Sequence, residues 1–404
     1  MVPGFGLDAD SAEYLRRSFG TPLYVLDEAT IVRSIGSFRE ALGRLPNKTR
    51  ISYASKANST VAVLQVAARE GCHIDVASLG ELAAAEMAGV DPTNITFHGN
   101  NRSRHELEEA LRKGIGEIVL DCLEDIENVA ALGQASSQVS LRVNPSLETG
   151  LHPKIDTGSA LSKFGFTIAD GQAKHALTCA LDLGLSVTGL HLHIGSQIFD
   201  SELHSRGLRA LVDFCKVCPG NWQLLNVGGG YGVSYVDEAP LDLNQLFTNL
   251  GAIGADAIIG IEPGRALVAS AGVTLYTVGA IKHVNGVRMV AVDGGLADNP
   301  RPALYGARYR VTCPAKPNSV SLAKIVGRHC ENDVLIEEAL LPHDLRGGDL
   351  LQVHCTGAYN SSMASNYNRY PRPAAVLMRE TGAVLVQRRE TIEDMLLREV
   401  PLGI

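Results

Sequence analysis

The sequence has no run of roughly 18 uninterrupted apolar residues, the length a membrane-spanning helix needs, so no span is expected. It has no excess of basic residues either. With 36 Lys and Arg against 44 Asp and Glu, the formal net charge of −8 argues against nucleic acid or an anionic membrane as the main partner. The first residues, "MVPGFGLDADSAEYL", lack a basic start and an apolar core, so no secretory leader is expected and the expected location is cytoplasmic. Cysteine is sparse: eight residues, at positions 72, 122, 179, 215, 218, 313, 330 and 355, are too few for a disulfide scaffold in 404 residues. Reduced thiols are expected. Cys215 and Cys218 form a C-x-x-C, but no second pair or histidine cluster follows at zinc-ribbon spacing, which favours structural cysteines. Short-period repeats and low-complexity tracts are also missing, which excludes a solenoid and a disordered tail.

What is present is a repeated unit: a short apolar or β-branched run, a Gly/Ser/Asn turn, then an amphipathic stretch. Between residues 23 and 265 the runs are "PLYVLD", "RISYASK", "HIDVAS", "ITFHG", "EIVLD", "VSLRVN", "GLHLHIG", "LLNVGGG" and "IIGIEPG". Strands that alternate with helices pair in parallel, and about eight such units make a (β/α)8 TIM-type barrel with its site at the C-terminal strand ends. Helix punctuation supports the reading. Ser78 and Glu81 have capping-box spacing, Asn58 or Ser59 can cap the next upstream helix, and Gly89 and Gly71 can end the two. After residue 265 the runs "LVASAGVTLYTVGAIKHV", "VRMVAVDGG", "SVSLAKIVGRHC", "DLLQVHCTGAY", "AAVLMRETG" and "AVLVQRRE" follow closely, with few helical stretches. The expected organisation is a barrel at 23–265 and a β-rich, barrel-like domain at 266–404, with residues 1–22 packed on the latter.

Several strand ends carry chemistry. In "ISYASKANST" alternation puts Ser52, Ala54 and Lys56 on one strand face, an odd filling for a core. A lysine there is by default solvated; a desolvated one has a lowered pKa and serves as a Schiff-base nucleophile, the usual attachment point of pyridoxal phosphate. "NVGGGYG" sets Gly228, Gly229 and Gly230 at a strand end, where backbone N–H groups can approach a phosphate, although a glycine run alone is more often a turn. In "HLHIGSQ", His191 and His193 share a face, which raises a two-histidine metal site; no carboxylate shares that strand. The alternative has one imidazole against a flat aromatic cofactor and the Ser196 hydroxyl at a phosphate. "IEPGR" presents Glu262 and Arg265, as a strand-end ion pair or as a carboxylate that keeps a pyridine nitrogen protonated. Cys330, Glu331, Arg301 and Tyr305 lie in the β-rich part, and nothing intrinsic forces them together.

Taken in order, "YASKAN", "HLHIGSQ", "NVGGGYG", "EPGR", "CEN" and "GAY…SNYN…PRP" resemble the pyridoxal-phosphate enzymes of the alanine-racemase-like fold, in the ornithine/diaminopimelate/arginine decarboxylase group. The likeness runs from about residue 20 to 400, and "HPKIDTGSALSKFGF", "RPALYGA" and "SSMASNYNRYPRP" belong to it. The resemblance implies that Lys56 attaches the pyridoxal phosphate, His193 stacks on its ring and Glu262 pairs with its pyridine nitrogen. It places Ser196, Gly228, Gly229, Gly230, Pro263, Gly264, Arg265 and Tyr359 around the cofactor. Arg265, Arg301, Tyr305, Glu331 and Tyr359 would hold the substrate, and Cys330 would protonate the α-carbon. The expected reaction is decarboxylation of meso-2,6-diaminopimelate to L-lysine by a homodimer with shared sites. Arg301 favours a substrate with a distal carboxylate. A relative acting on ornithine, a carboxypolyamine or a carrier-bound glutamyl group, or a non-catalytic cofactor-binding homologue, is the alternative. The family's Cys-Glu-Ser/Thr-Gly-Asp is here the shorter Cys330-Glu331-Asn332-Asp333, without its glycine.

Overall fold

The computed structural model describes residues 4–147, 158, 162–218, 220–316 and 320–403. The chain divides into two compact units, one of Val32–Val233 and Ala239–Leu267, the other of the N-terminal stretch through Ile31, Ser234–Glu238 and the chain from Val268 onward.

In the first unit eight strands close a parallel barrel: Thr49–Ala54, His73–Val76, Ile95–Phe97, Glu117–Leu120, Gln138–Asn144, Val187–His191, Leu224–Asn226 and Ile258–Ile261. Glu117–Leu120 pairs with Gln138–Asn144 on one side, and Ile258–Ile261 pairs with Thr49–Ala54 on the other, so no edge is left open. Fully buried Tyr53, Ile74 and Phe97 belong to these strands. Inside the barrel the Arg50 guanidinium reaches past two intervening strands to Glu117, which also accepts from Ser140 Oγ and, at 3.2 Å, from Thr96 Oγ1. Arg50 therefore points inward, and alternation turns Ser52 and Ala54 the same way.

The helices between strands begin where the sequence supplies a cap. Ser78 Oγ accepts the Glu81 N–H, and Glu81 returns a bond to the Ala77 N–H, one residue earlier than a full box. Ser103 and Glu106 make the complete reciprocal box before Arg104–Arg112, a device that contributes about 1 kcal/mol. The helix Val61–Arg69 differs from expectation: Thr60 occupies the cap position, and Asn58 instead accepts the Thr60 N–H in a local turn at 3.1 Å.

The second unit is a nine-stranded mixed sheet, with its main path running from Val334–Pro342 through Val320–Val326, Val287–Val292, Gly272–Val284, Leu23–Asp27 and Ala374–Arg379 to Gly382–Gln387. Here the expected boundary is corrected. Leu23–Asp27, counted in sequence as the first barrel strand, lies antiparallel to Gly272–Val284 and parallel to Ala374–Arg379, in the second unit. Its alternating Leu23 and Val25 join a core with Leu15, Val273, Leu275 and Val376, which a barrel position would forfeit. Val334–Pro342 is a strand that the sequence reading missed. The barrel and the β-rich second domain are otherwise the expected fold.

Candidate active site

The C-terminal strand ends of the barrel surround a cavity of about 360 Å³, lined among others by Lys56, Asp75, His98, Arg142, His193 and Glu262. Lys56 does not continue the strand. Thr49–Ala54 ends one residue before a single 3₁₀ turn, Ser55–Ala57, that carries Lys56, and the side chain is exposed rather than desolvated. Ala54 is close-packed. A Cβ on Gly264 would lie 2.9 Å from the Ala54 carbonyl oxygen and 3.0 Å from its Cβ, so the Pro263–Gly264 turn packs directly onto Ala54.

Glu262, one residue past the strand Ile258–Ile261, is 5% exposed and accepts three hydrogen bonds. Oε1 accepts from His98 Nε2 at 3.0 Å and from Asn226 Nδ2 at 2.7 Å, and Oε2 accepts from His191 Nε2 at 2.9 Å. Burial would push this carboxyl up, but His191 and His98 outweigh it and hold Glu262 well below the usual carboxylate range. The two histidines act differently. Burial pushes His191 down to about 4, so it is a neutral donor, and its Nδ1 has no hydrogen-bond partner among the described residues. For His98 burial also pulls downward, but the Asp75 and Glu262 carboxylates prevail and raise it. His98 lies 3.5 Å from Asp75 Oδ1, and burial pushes Asp75 up to about 7.

His191 and His193 do not form the two-histidine site considered from sequence. His191 goes to Glu262. The atoms of His98, His191 and Glu262 do lie within 4.8 Å of one another, and the hydrogen bonds among them account for that closeness. His193 Nδ1 accepts the Gly229 N–H at 3.1 Å, which fixes the ring and puts its proton on Nε2. Loss of water, with the Lys56 and Arg142 charges, keeps that imidazole neutral.

The three glycines are demanded by packing. A Cβ on Gly228, at φ +67°, would stand 2.3 Å from the Leu192 carbonyl oxygen, and one on Gly229 would stand 2.3 Å from that of Glu262. The expectation of a row of phosphate-directed N–H groups is narrowed accordingly, since Gly228 N–H is bonded to Asn226 Oδ1 and Gly229 N–H to His193. Beside this loop Arg265 Nη2 donates to Ser196 Oγ at 3.1 Å.

The second unit holds the remaining candidates. Arg301 is buried at 6% exposure, with its guanidinium 4.7 Å from the Tyr235 ring centroid and Nη1 donating to the Tyr309 hydroxyl. Tyr305, on the same short helix Arg301–Tyr305, is exposed. Cys330 and Glu331 are exposed and tethered by one turn: Asn368 Oδ1 accepts the Cys330 N–H at 2.9 Å, and Tyr367 donates its hydroxyl to Glu331. Tyr359 is half-buried with φ +61°. Residues 152–157 and 159–161 of "HPKIDTGSALSKFGF" lie outside the described residues. Sequence reasoning missed His98, Asp75, Asn226, Tyr309, Tyr367 and Asn368. The signal for the first three was present, since each stands at or just beyond the C-terminal end of a barrel strand.

Pyridoxal phosphate fits these residues. A carboxylate offers about four acceptor positions, and His98, Asn226 and His191 fill three, leaving one on an ionised Glu262 for a pyridine N–H at the cavity. A closed barrel that presents an amine, a neutral imidazole and a buried, ionised carboxylate to one cavity defines the barrel class of pyridoxal-phosphate enzymes. The chain belongs to that family: residues 28–269 match the model described as "Pyridoxal-dependent decarboxylase, pyridoxal binding domain". It is 43% identical to the diaminopimelate decarboxylase of Bacillus subtilis, over 96% of this chain and 94% of that protein, and 40% identical to that of Actinosynnema pretiosum, over 96% and 91%. Among solved structures, the diaminopimelate decarboxylase of M. jannaschii in complex with L-lysine superposes with a TM-score of 0.91 at 31% identity, covering 98% of each chain.

Proposed function

We propose that this protein decarboxylates meso-2,6-diaminopimelate to L-lysine with pyridoxal phosphate. The observation that carries the reading is the ionised, triply hydrogen-bonded Glu262 on the cavity that Lys56 also lines. When bound, pyridoxal phosphate supplies an electron sink for the pair released as CO2 departs. In this reading the chain does the rest. Lys56 attaches the cofactor. Glu262 keeps the pyridine nitrogen protonated, which a neutral partner would not do. His193, neutral and held by Gly229, would support the cofactor ring, and Ser196, Arg265, Gly230 and Tyr359 would hold the phosphate. Arg301 and Glu331 match the charges of a distal amino-acid end, because a guanidinium fork pairs with a carboxylate bidentately. Cys330 delivers the proton that replaces CO2 on the α-carbon.

The reading includes a homodimer in which each subunit completes the other's site, and a cytoplasmic location; among the described residues no helix is long and apolar enough to cross a membrane. The exposure of Cys330 and Glu331 is what such sharing needs. The test is CO2 and lysine release from meso-diaminopimelate, with ornithine and arginine as comparisons. Release from ornithine but not from diaminopimelate would replace the substrate assignment.

A further inference from the structure

The loop Cys330-Glu331-Asn332-Asp333 is exposed at Cys330 and Glu331, and its neighbours in the second unit hold it in place. Its flanks are held by a side chain that hydrogen bonding does not explain. The His329 side chain is 1% exposed, neither ring nitrogen has a hydrogen-bond partner within ordinary distance among the described residues, and Nδ1 keeps only a long ion-pair contact with Asp333 Oδ2, at 3.7 Å. Burying a polar group without a hydrogen bond is unfavourable. What the imidazole does have is aromatic contact. It stacks on Tyr367 at 5.8 Å and 26°, and meets Tyr370 edge-on at 5.2 Å and 89°. Tyr370 in turn carries the Arg328 guanidinium at 3.9 Å.

Tyr367 and Asn368 are the residues that grip the loop, through Glu331 and the Cys330 N–H. They sit on a strained turn, with Asn368 at φ 52° and Arg369 at φ 53°, a conformation that persists only where surroundings enforce it. On the other side, Asp333 accepts the Leu296 N–H at 2.9 Å. The glycines this joint requires lie on facing segments: a Cβ on Gly295 would be 2.4 Å from His329 Nδ1, and one on Gly327 would be 2.3 Å from Asp333 Oδ2.

We propose that His329 is a positioning residue for the Cys330–Glu331 pair: its ring holds Tyr367 in the stacked pose from which the tyrosine hydroxyl fixes Glu331 and the adjoining Asn368 fixes Cys330. The proposal rests on the functional reading above, in which that pair meets substrate. Stacking, not hydrogen bonding, carries the effect, so phenylalanine replaces His329 and leucine does not.

The experiment is a double-variant cycle on the holoenzyme, using His329→Leu, His329→Phe and Tyr367→Phe. For meso-diaminopimelate, His329→Leu is expected to raise KM about tenfold with a smaller change in kcat, His329→Phe to stay within about twofold of wild type, and His329→Leu to add little further in the Tyr367→Phe background. An unchanged KM in His329→Leu, or an equal rise in both backgrounds, overturns the proposal. A second readout needs no substrate: the rate of Cys330 alkylation by iodoacetamide, resolved by mass spectrometry in the folded variants. It should rise several-fold in His329→Leu and not in His329→Phe; equal rates in all three also overturn the proposal. If wild-type protein releases no CO2 from diaminopimelate, the functional reading falls while the alkylation rates still decide the role of His329.

Discussion

His98 Nε2 stands 3.0 Å from Glu262 Oε1 and 3.5 Å from Asp75 Oδ1, a buried imidazole between two carboxylates. In its protonated form this imidazole supports the ionised state of Glu262, the group proposed to face the pyridine nitrogen. His98→Gln keeps a donor but removes the charge. The expected result is cofactor affinity lower by about tenfold or more, the scale of a hydrogen bond to a charged group, measured by titrating apoprotein with pyridoxal phosphate. The sign with pH follows. Since the His98 pKa is raised in the folded protein, its charge contribution is present below the ordinary histidine range and is lost as pH rises through the raised value. Wild-type affinity should therefore fall on the alkaline side, and in His98→Gln that limb should flatten.

Lys56 lies on the 3₁₀ turn at the cavity. Borohydride reduction of the holoenzyme should fix the cofactor's mass on the peptide that contains Lys56, and Lys56→Ala should show no such adduct. A full adduct in the variant would place the attachment on another amine.

Glu117 is the acidic half of the ion pair inside the barrel, and it is almost fully buried. Burial opposes its charge, but Arg50 and Ser140 prevail and lower its pKa. Glu117→Gln leaves Arg50 buried without its counter-charge, so a loss of about 3–5 kcal/mol is expected in urea unfolding. The linkage sign is that of a depressed carboxylate. The contribution is complete above the ordinary glutamate range and is lost as pH falls through the folded-state value, so the difference between wild type and Glu117→Gln should shrink in acid.

Arg301 is buried against Tyr235 and Tyr309. Arg301→Lys keeps charge but loses the planar fork, so KM for diaminopimelate should rise about tenfold or more while cofactor affinity is unchanged. A fall in cofactor affinity instead would move Arg301 away from the substrate's distal end.

The parts of this molecule legible in sequence are those governed by local pattern. Short apolar or β-branched runs alternating with amphipathic stretches located all eight barrel strands and their C-terminal ends, and Ser78 with Glu81 marked a helix start. The run Leu23–Asp27 has the same pattern, and only its non-local pairing with Gly272–Val284 and Ala374–Arg379 assigns it to the second unit. Lys56, Glu262 and His193 could be picked from spacing and family likeness. His98 also stands at a strand end, but its partnership with Glu262 depends on parallel neighbours that bring Ile95–Phe97 and Ile258–Ile261 into one barrel mouth. Likewise the grip of Tyr367 on Glu331 spans 36 residues, and no local signal marks it.

The most direct test of the account is the incubation of purified protein and pyridoxal phosphate with meso-diaminopimelate, measuring CO2 and lysine together. The account predicts equimolar release of both that requires the cofactor and is abolished by Lys56→Ala. No CO2 from diaminopimelate, or CO2 without lysine, would contradict it.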